Sequence, residues 1–471
     1  MVNVPFATNQ AVSQSLPVQS QRMENAFAEK EPQDAKSEVA IFPAPGLTSF
    51  ATLGSGPIRA MNVMGGVPYV LSGGTLYSVS SAGVGTVLGG QISGSGYVPS
   101  SNNGTQVMFV NGVNGYVWAQ STGFQVVTDP NFHAASAITF FDNVFVLNNV
   151  ANNQWFISNS LDGTTYNGLA FASAEVSPGF VLGLANQQEN ALLFCTNHIE
   201  TWYDAGTPIF PFQRIDGATV ERGCVAGQAV VKEDNSVFFL GDDLIFYRLD
   251  NFIPRRVSTH AEEDSWRSYT TVSDAYTFSF TYEGHKFIVL TFPSANATWI
   301  FDIATNFWHI RNSRDQFGNS YGRWRASCVA SCYNKILVGD AYSGQIGFID
   351  KTVFTEYGNT MVSRMVAPSI NSDRMRVFHS NFELDMETGV GNTVDPGSNP
   401  QVMLDWSDDG GRTFTIPQTW RSLGKIGAYK TRVRWPGILG QSRDRRYRVS
   451  ISDPVPRVVI AARADIEVGM L

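Results

Sequence analysis

The chain is short of charge: only 16% of its 471 residues are Asp, Glu, Lys or Arg, against roughly 25% in an average soluble protein. That scarcity excludes coiled coils, helical repeat arrays and disordered scaffolds, each of which needs a charged or Ala/Glu/Lys/Leu-dominated composition. Cysteine is scarcer still. Four residues, Cys195, Cys224, Cys328 and Cys332, are too few for a disulfide framework and fit a reducing folding compartment. Cys328 and Cys332 have no second Cys or His pair nearby in sequence, so they read as part of a buried strand and not as a metal site. No apolar run approaches the roughly 20 residues of a membrane helix. The N-terminus, MVNVPFATNQAVSQS, has neither the basic nor the apolar region of a signal peptide. Catalytic signatures are missing too: no phosphate loop, HExxH, nucleophile elbow or kinase motif occurs. The six histidines (His133, His198, His260, His285, His309, His379) are scattered with no activated Ser or Cys beside them. No catalytic residue, cofactor or metal is expected.

What the chain has is glycine (43) and aromatic residues (12%), the composition of short strands joined by tight turns. One unit recurs: an apolar strand, a Gly/Asn/Asp turn, then a strand carrying aromatics. Its copies are 68–79, 107–120, 144–159, 191–204, 236–249, 286–303 and 335–350, spaced by 39 to 55 residues. Turns such as GG, NG and DD supply the positive φ angles of two-residue hairpins. A hairpin at this period predicts an all-β, seven-bladed β-propeller over residues 46–360, with a pair of β-sandwiches as its competitor. Residues 1–45 are polar and read as an N-terminal arm, either a short helix or an extended segment lying on a neighbour. After Asp350 the period stops, and residues 361–471 predict a small C-terminal β-sandwich-like domain. There the alternation Arg445/Tyr447/Val449/Ile451 suggests a sheet with one wet face.

Charge divides along the same boundary. Residues 361–471 carry 15 basic and 12 acidic residues, whereas residues 1–360 carry 18 and 29. An acidic body argues against general nucleic-acid binding. The basic excess is concentrated in Arg421, Lys425, Lys430, Arg432, Arg434, Arg443, Arg445, Arg446 and Arg448, which read as a protein-contact face or, equally, a solvated sheet face balanced by acids. The sharpest motif, Ser407-Asp-Asp409-Gly-Gly411-Arg-Thr413-Phe414, fits an Asp-box, and Ser160 to Tyr166 resembles a shortened one. Its Asp and hydroxyl groups bind backbone amides within a turn while the aromatic fills the space beneath, so it is a folding device. Sialidases also carry such boxes. A glycan-binding or sialidase-like propeller is therefore the alternative, and it needs three Arg, a Tyr and a carboxylate converging on the axis.

The segments FPAPGLTSFATLGSGPIRAM (42–61), ASAEVSPGFVLGLANQQENALLFCTNHIETWYDAG (172–206), FPFQRIDGATVERGC (210–224), VFFLGDD (237–243), PRRVSTHAEE (254–263) and the run from Leu404 to Val455 resemble the tail hub proteins of short-tailed bacteriophages. These are also called packaged-DNA stabilisation proteins. The likeness spans roughly residues 42–468. It implies a non-enzymatic structural protein of the virion tail, made in the host bacterial cytoplasm. Six copies would form a ring below the portal and adaptor proteins, retaining packaged DNA and conducting it at ejection without sequence-specific binding. Tail needle, fibre or tailspike proteins would attach to that ring. A larger nozzle protein of another short-tailed lineage would share the propeller but carry bigger insertions.

Overall fold

The computed structural model describes residues 2–415, 418–437 and 439–469. Among them the one α-helix is His260–Arg267; the rest is strand and turn. Each hairpin named above is the middle pair of four neighbouring antiparallel strands; five of these sets are separate sheets, and the sets around 286–303 and 335–350 extend into larger ones. Six of these sets are blades of continuous chain: 58–90, 100–126, 138–173, 181–214, 230–256 and 276–310. The last hairpin, Lys335–Asp340 with Gln345–Asp350, makes a sheet only by combining Ala326–Cys332 with the distant strand Gly46–Thr52. The expectation of a seven-bladed propeller is thus corrected: the propeller has six blades of continuous chain, and the last hairpin serves a composite closing sheet made of two chain segments. The reason is topological. A circular array must join its two ends, and a strand borrowed across about 300 residues zips them and removes an open edge.

Inner strands follow one another around the axis, from Ile58–Met64 through Ser100–Asn102, Ile138–Phe141, Val181–Gln187, Val230–Glu233 and Tyr276–Tyr282 to Ala326–Cys332, which packs back on Ile58–Met64. Apolar clusters fill the wedges between neighbouring sheets. Val144, Val146 and Trp155 meet Leu193 and Phe212 in one wedge, and Leu192 and Phe194 meet Val237 and Phe239 in the next. Burial on both faces explains why these strands are continuously apolar and not alternating.

The second unit is a sandwich. One sheet runs Ala26–Lys30, Val39–Pro43, Val459–Val468, Val377–Met386, Val433–Pro436. The other runs Ser20–Glu24, Ser363–Val366, Asp444–Ile451, Gln401–Ser407, Thr419–Ser422 and joins the sixth blade through a parallel bridge from Glu24 to Ile310. Phe6, Met23, Ile41, Phe382, Trp435 and Tyr447 pack between the sheets. Within the expected arm of 1–45, the described residues 2–45 are therefore neither a helix nor a free arm, since they contribute strands to both sheets. The expected wet face of Asp444–Ile451 is also corrected. Arg445, Tyr447, Val449 and Ile451 face the inside, but Arg446 and Ser450 on the opposite face are buried too. The strand is central, and the segment around Pro17 to Ser20 covers part of its outer face.

Candidate functional site

Two regions carry the chemistry anticipated from sequence: the arginine-rich sandwich and the propeller axis. In the sandwich, the Asp409 carboxylate accepts hydrogen bonds from the Ser407 hydroxyl (2.7 Å), the Arg412 amide (2.9 Å) and the Thr413 hydroxyl (2.6 Å). The Gly411 amide donates to Ser407 Oγ at 2.8 Å. Desolvation alone would raise the Asp409 pKa, but the Thr413, Ser407 and amide donors outweigh it and hold the carboxyl well below its usual range. The turn is thus self-satisfied. Phe414 carries the Arg448 guanidinium on its ring face at 3.8 Å. The shortened motif behaves alike: Asp162 accepts from the Thr164 amide (3.0 Å) and hydroxyl (2.7 Å) within the third blade.

The nine basic residues do not form one surface. Arg445 is 1% exposed, grips Asp408 through two hydrogen bonds of 2.7 Å and stacks on Trp406. Arg448 pairs with the buried Asp405. Arg432 holds Glu383 in a fork of 2.8–3.0 Å, and Arg434 donates to Asn381 Oδ1 at 2.7 Å. Arg421 donates to the carbonyls of Arg434 and Trp420. Lys425, Lys430 and Arg443 are exposed and make no ion pair among the described residues. Most of the basic excess is therefore internal wiring, and its acid partners lie on other strands where sequence reading does not see them.

Arg446 is the exception inside. It is 2% exposed and donates once, to the Pro17 carbonyl at 2.7 Å, while Nε and Nη1 have no partner among the described residues. A buried cation with idle donors costs free energy. Arg446→Met is accordingly expected to be neutral or stabilising by about 1–2 kcal/mol, read as the denaturant midpoint. A drop in that midpoint would contradict the assignment.

On the axis lies a cavity of about 610 Å³ lined by Arg59, Tyr97, Gln228, Asp274 and Tyr276 together with backbone of 93–96 and 225–227. Arg59 is 4% exposed and donates to the carbonyls of Gly96, Gly73, Ile92 and Ser93 at 2.8–3.0 Å. Burial lowers its pKa, and no carboxylate pairs with it among the described residues. Four of its five N–H groups hold loops. Tyr97 and Tyr276 stack at 5.2 Å, and Gln228 Nε2 bridges to the Ser136 carbonyl at 2.6 Å. Sequence reading missed Arg59 because its partners are carbonyls, which leave no mark in side-chain patterning.

Four of the six histidines, His198, His285, His309 and His379, are buried. His198 contacts Glu200 at 3.2 Å, and the buried Glu200 carboxylate also accepts from Trp202 Nε1 at 3.0 Å. His285 pairs with Asp302 at 2.9 Å. His309 is lowered to about 3 and His379 to about 4, by burial first and by the neighbouring Arg311 and Arg445 second. Folding therefore keeps both rings neutral, while in the unfolded chain they take up protons near pH 6.5. Their contribution to stability is full above pH 6.5 and drains as pH falls toward those lower values. Denaturant titrations at stepped pH are expected to show a steeper acid decline in the native chain than in His379→Gln, by about one proton between pH 6.5 and 4. Equal slopes would contradict the buried neutral ring. The described residues contain no cluster of three or more His, Cys, Asp or Glu able to hold a metal. Cys328 is buried and its thiol is pushed up to about 12, and none of the four cysteines is disulfide-bonded.

Comparison with known proteins gives two family matches. Residues 8–354 match the model for the bacteriophage P22 Gp10 β-propeller, and residues 363–467 match that for the P22 Gp10 β-sandwich. No curated protein sequence matches. Among solved structures, Hsv2 of Kluyveromyces lactis is similar at 10% identity and a TM-score of 0.35, covering 62% of this chain and 97% of that one. PorZ of Porphyromonas gingivalis follows at 9% identity and a TM-score of 0.36, covering 72% and 44%. The extracellular domain of BT4673 from B. thetaiotaomicron overlaps at 10% identity and a TM-score of 0.44, covering 85% and 57%. With both domain models matched in order along nearly its whole length, the chain belongs to the bacteriophage P22 Gp10 family, the tail-hub or packaged-DNA stabilisation proteins of short-tailed phages.

Proposed function

We propose that this virion component forms a six-membered ring below the portal and adaptor, extending the tail tube, retaining packaged DNA and conducting it at ejection. The family match over propeller and sandwich carries the reading. Charge supports it. A conduit in which Lys and Arg met phosphate would gain salt-dependent affinity for DNA and impede its passage, and here the propeller is acidic overall while Arg432, Arg445 and Arg448 of the sandwich are paired with Glu383, Asp408 and Asp405. At the axis, four of the five Arg59 N–H groups are held by carbonyls, which leaves this guanidinium without the fork that a sugar carboxylate would need. Portal, adaptor and needle, fibre or tailspike proteins are the expected partners.

The test withholds this protein during phage assembly. Particles are expected to fill with DNA and then lose it, and adding the purified chain should restore retention. Particles that keep their DNA without it would overturn the retention role, and hydrolysis of a sialoside by the purified chain would favour the glycan reading.

A further inference from the structure

This inference rests on the ring proposed above. A closed ring of identical copies joined head to tail needs two different, complementary patches on opposing flanks of each copy. Two patches meet that requirement.

The first is the sandwich loop 424–431. Ile426 is 62% and Tyr429 72% exposed, with the exposed Lys425 and Lys430 beside them; Lys425 also feels the carboxylate of Asp395. The loop is shaped in advance. Gly424 and Gly427 take φ of +89° and +85°, the Gly427 amide donates to the Gly389 carbonyl (3.1 Å), and the Thr388 hydroxyl donates to the Tyr429 carbonyl (3.1 Å). A pre-ordered loop loses little entropy on docking, and a protruding Tyr is a typical interface anchor.

The second is a cavity of about 770 Å³ between the third and fourth blades, lined by Phe141, Asp142, Glu189, Tyr203 and Asp204 among others. No cation neutralises these three carboxylates among the described residues. Acids at the equivalent turns of later blades are paired: Asp234 with Lys286 and Arg248, Glu283 with Lys351. The Asp142 carboxyl is raised chiefly by its hydrogen bond to Asp204, the behaviour of acids crowded without a counter-charge. The sandwich is joined to the sixth blade by the parallel bridge from Glu24 to Ile310, so this cavity lies across the propeller from it.

We infer that loop 424–431 of one copy docks into the cavity between the third and fourth blades of the next. Lys425 and Lys430 meet Asp142, Glu189 and Asp204, while Ile426 and Tyr429 cover Phe141 and Tyr203.

The test uses full-length chain in the presence of a portal–adaptor complex, with assembly followed by sedimentation. Lys425→Glu with Lys430→Glu forms one variant, and Glu189→Lys with Asp204→Lys the other. All four sites are exposed, and unchanged melting verifies each fold. Each variant alone is expected to need at least about tenfold more protein for half-assembly, since like charges then face each other across the contact. An equimolar mixture should assemble as the native chain does, because reversed loop then meets reversed cavity and native meets native around an even-membered ring. Native-like assembly of either variant alone, or a mixture of folded variants that stays apart, would overturn the inference. Failure of the unaltered chain to assemble would instead overturn the ring itself.

Discussion

Asn25→Ala is expected to destabilise the protein by about 3–5 kcal/mol, by loosening both sandwich sheets from the sixth blade. Asn25 sits where the chain leaves Ser20–Glu24 in one sheet to enter Ala26–Lys30 in the other, and it is 1% exposed. Its Nδ2 donates to the carbonyls of Asn312 and Val362 (both 2.9 Å), and its Oδ1 accepts the Asn312 amide at 3.1 Å. Three part-buried backbone groups thus lose their partner on substitution. Its φ of +52° adds strain once the side chain is Ala. Asn25→Gly removes the strain but not the lost bonds, so it should recover only about 1 kcal/mol. Melting and limited proteolysis of residues 1–45 and 361–471 read both effects. A melting curve unchanged by Asn25→Ala would show that this junction holds nothing.

Asp340→Ala should cost a similar amount, about 3–5 kcal/mol, but at the ring closure. Arg325 donates to Asp340 at 2.6 Å, with side chains 7% and 0% exposed. Asp340 also accepts from the Tyr342 amide (3.0 Å) and Ser343 hydroxyl (2.6 Å). Without the carboxylate, Arg325 keeps its stacking on Tyr357 at 4.5 Å but no ion pair, so a buried charge is stranded. Replacing both partners by apolar residues, Arg325→Met with Asp340→Leu, should recover most of the loss. Faster hydrogen exchange confined to 326–350 and 46–52 in the single variant would mark the closing sheet as the part that opens. Exchange spread evenly over the blades would contradict that.

The propeller was legible where its signal is local. A strand such as Val144–Asn148, a tight turn and Gln154–Asn159 lie within one short window, and burial from both sides makes the strand uniformly apolar. What escaped were pairings set by distant chain. Gly46–Thr52 alternates weakly and has nothing nearby to name its partner, which lies at 345–350. Ser20–Glu24 looks polar because its outer face carries Arg22 and Glu24, although Met23 is buried in the sandwich core. The arginine stretch was legible as composition but not as a site. Asp405 and Glu383 on other strands, and Asp408 in the turn after one, neutralise Arg448, Arg432 and Arg445 from 37 to 49 residues away. The loop at 424–431 and the acidic cavity share this character, since exposure and missing partners exist only once the sheets are assembled.

Electron microscopy of the purified chain mixed with a portal–adaptor complex tests the central claim most directly. The account predicts a ring of six copies beneath the adaptor, with acidic propellers around an open lumen and each sandwich reaching its neighbour. Monomers that leave the portal–adaptor complex bare would contradict it.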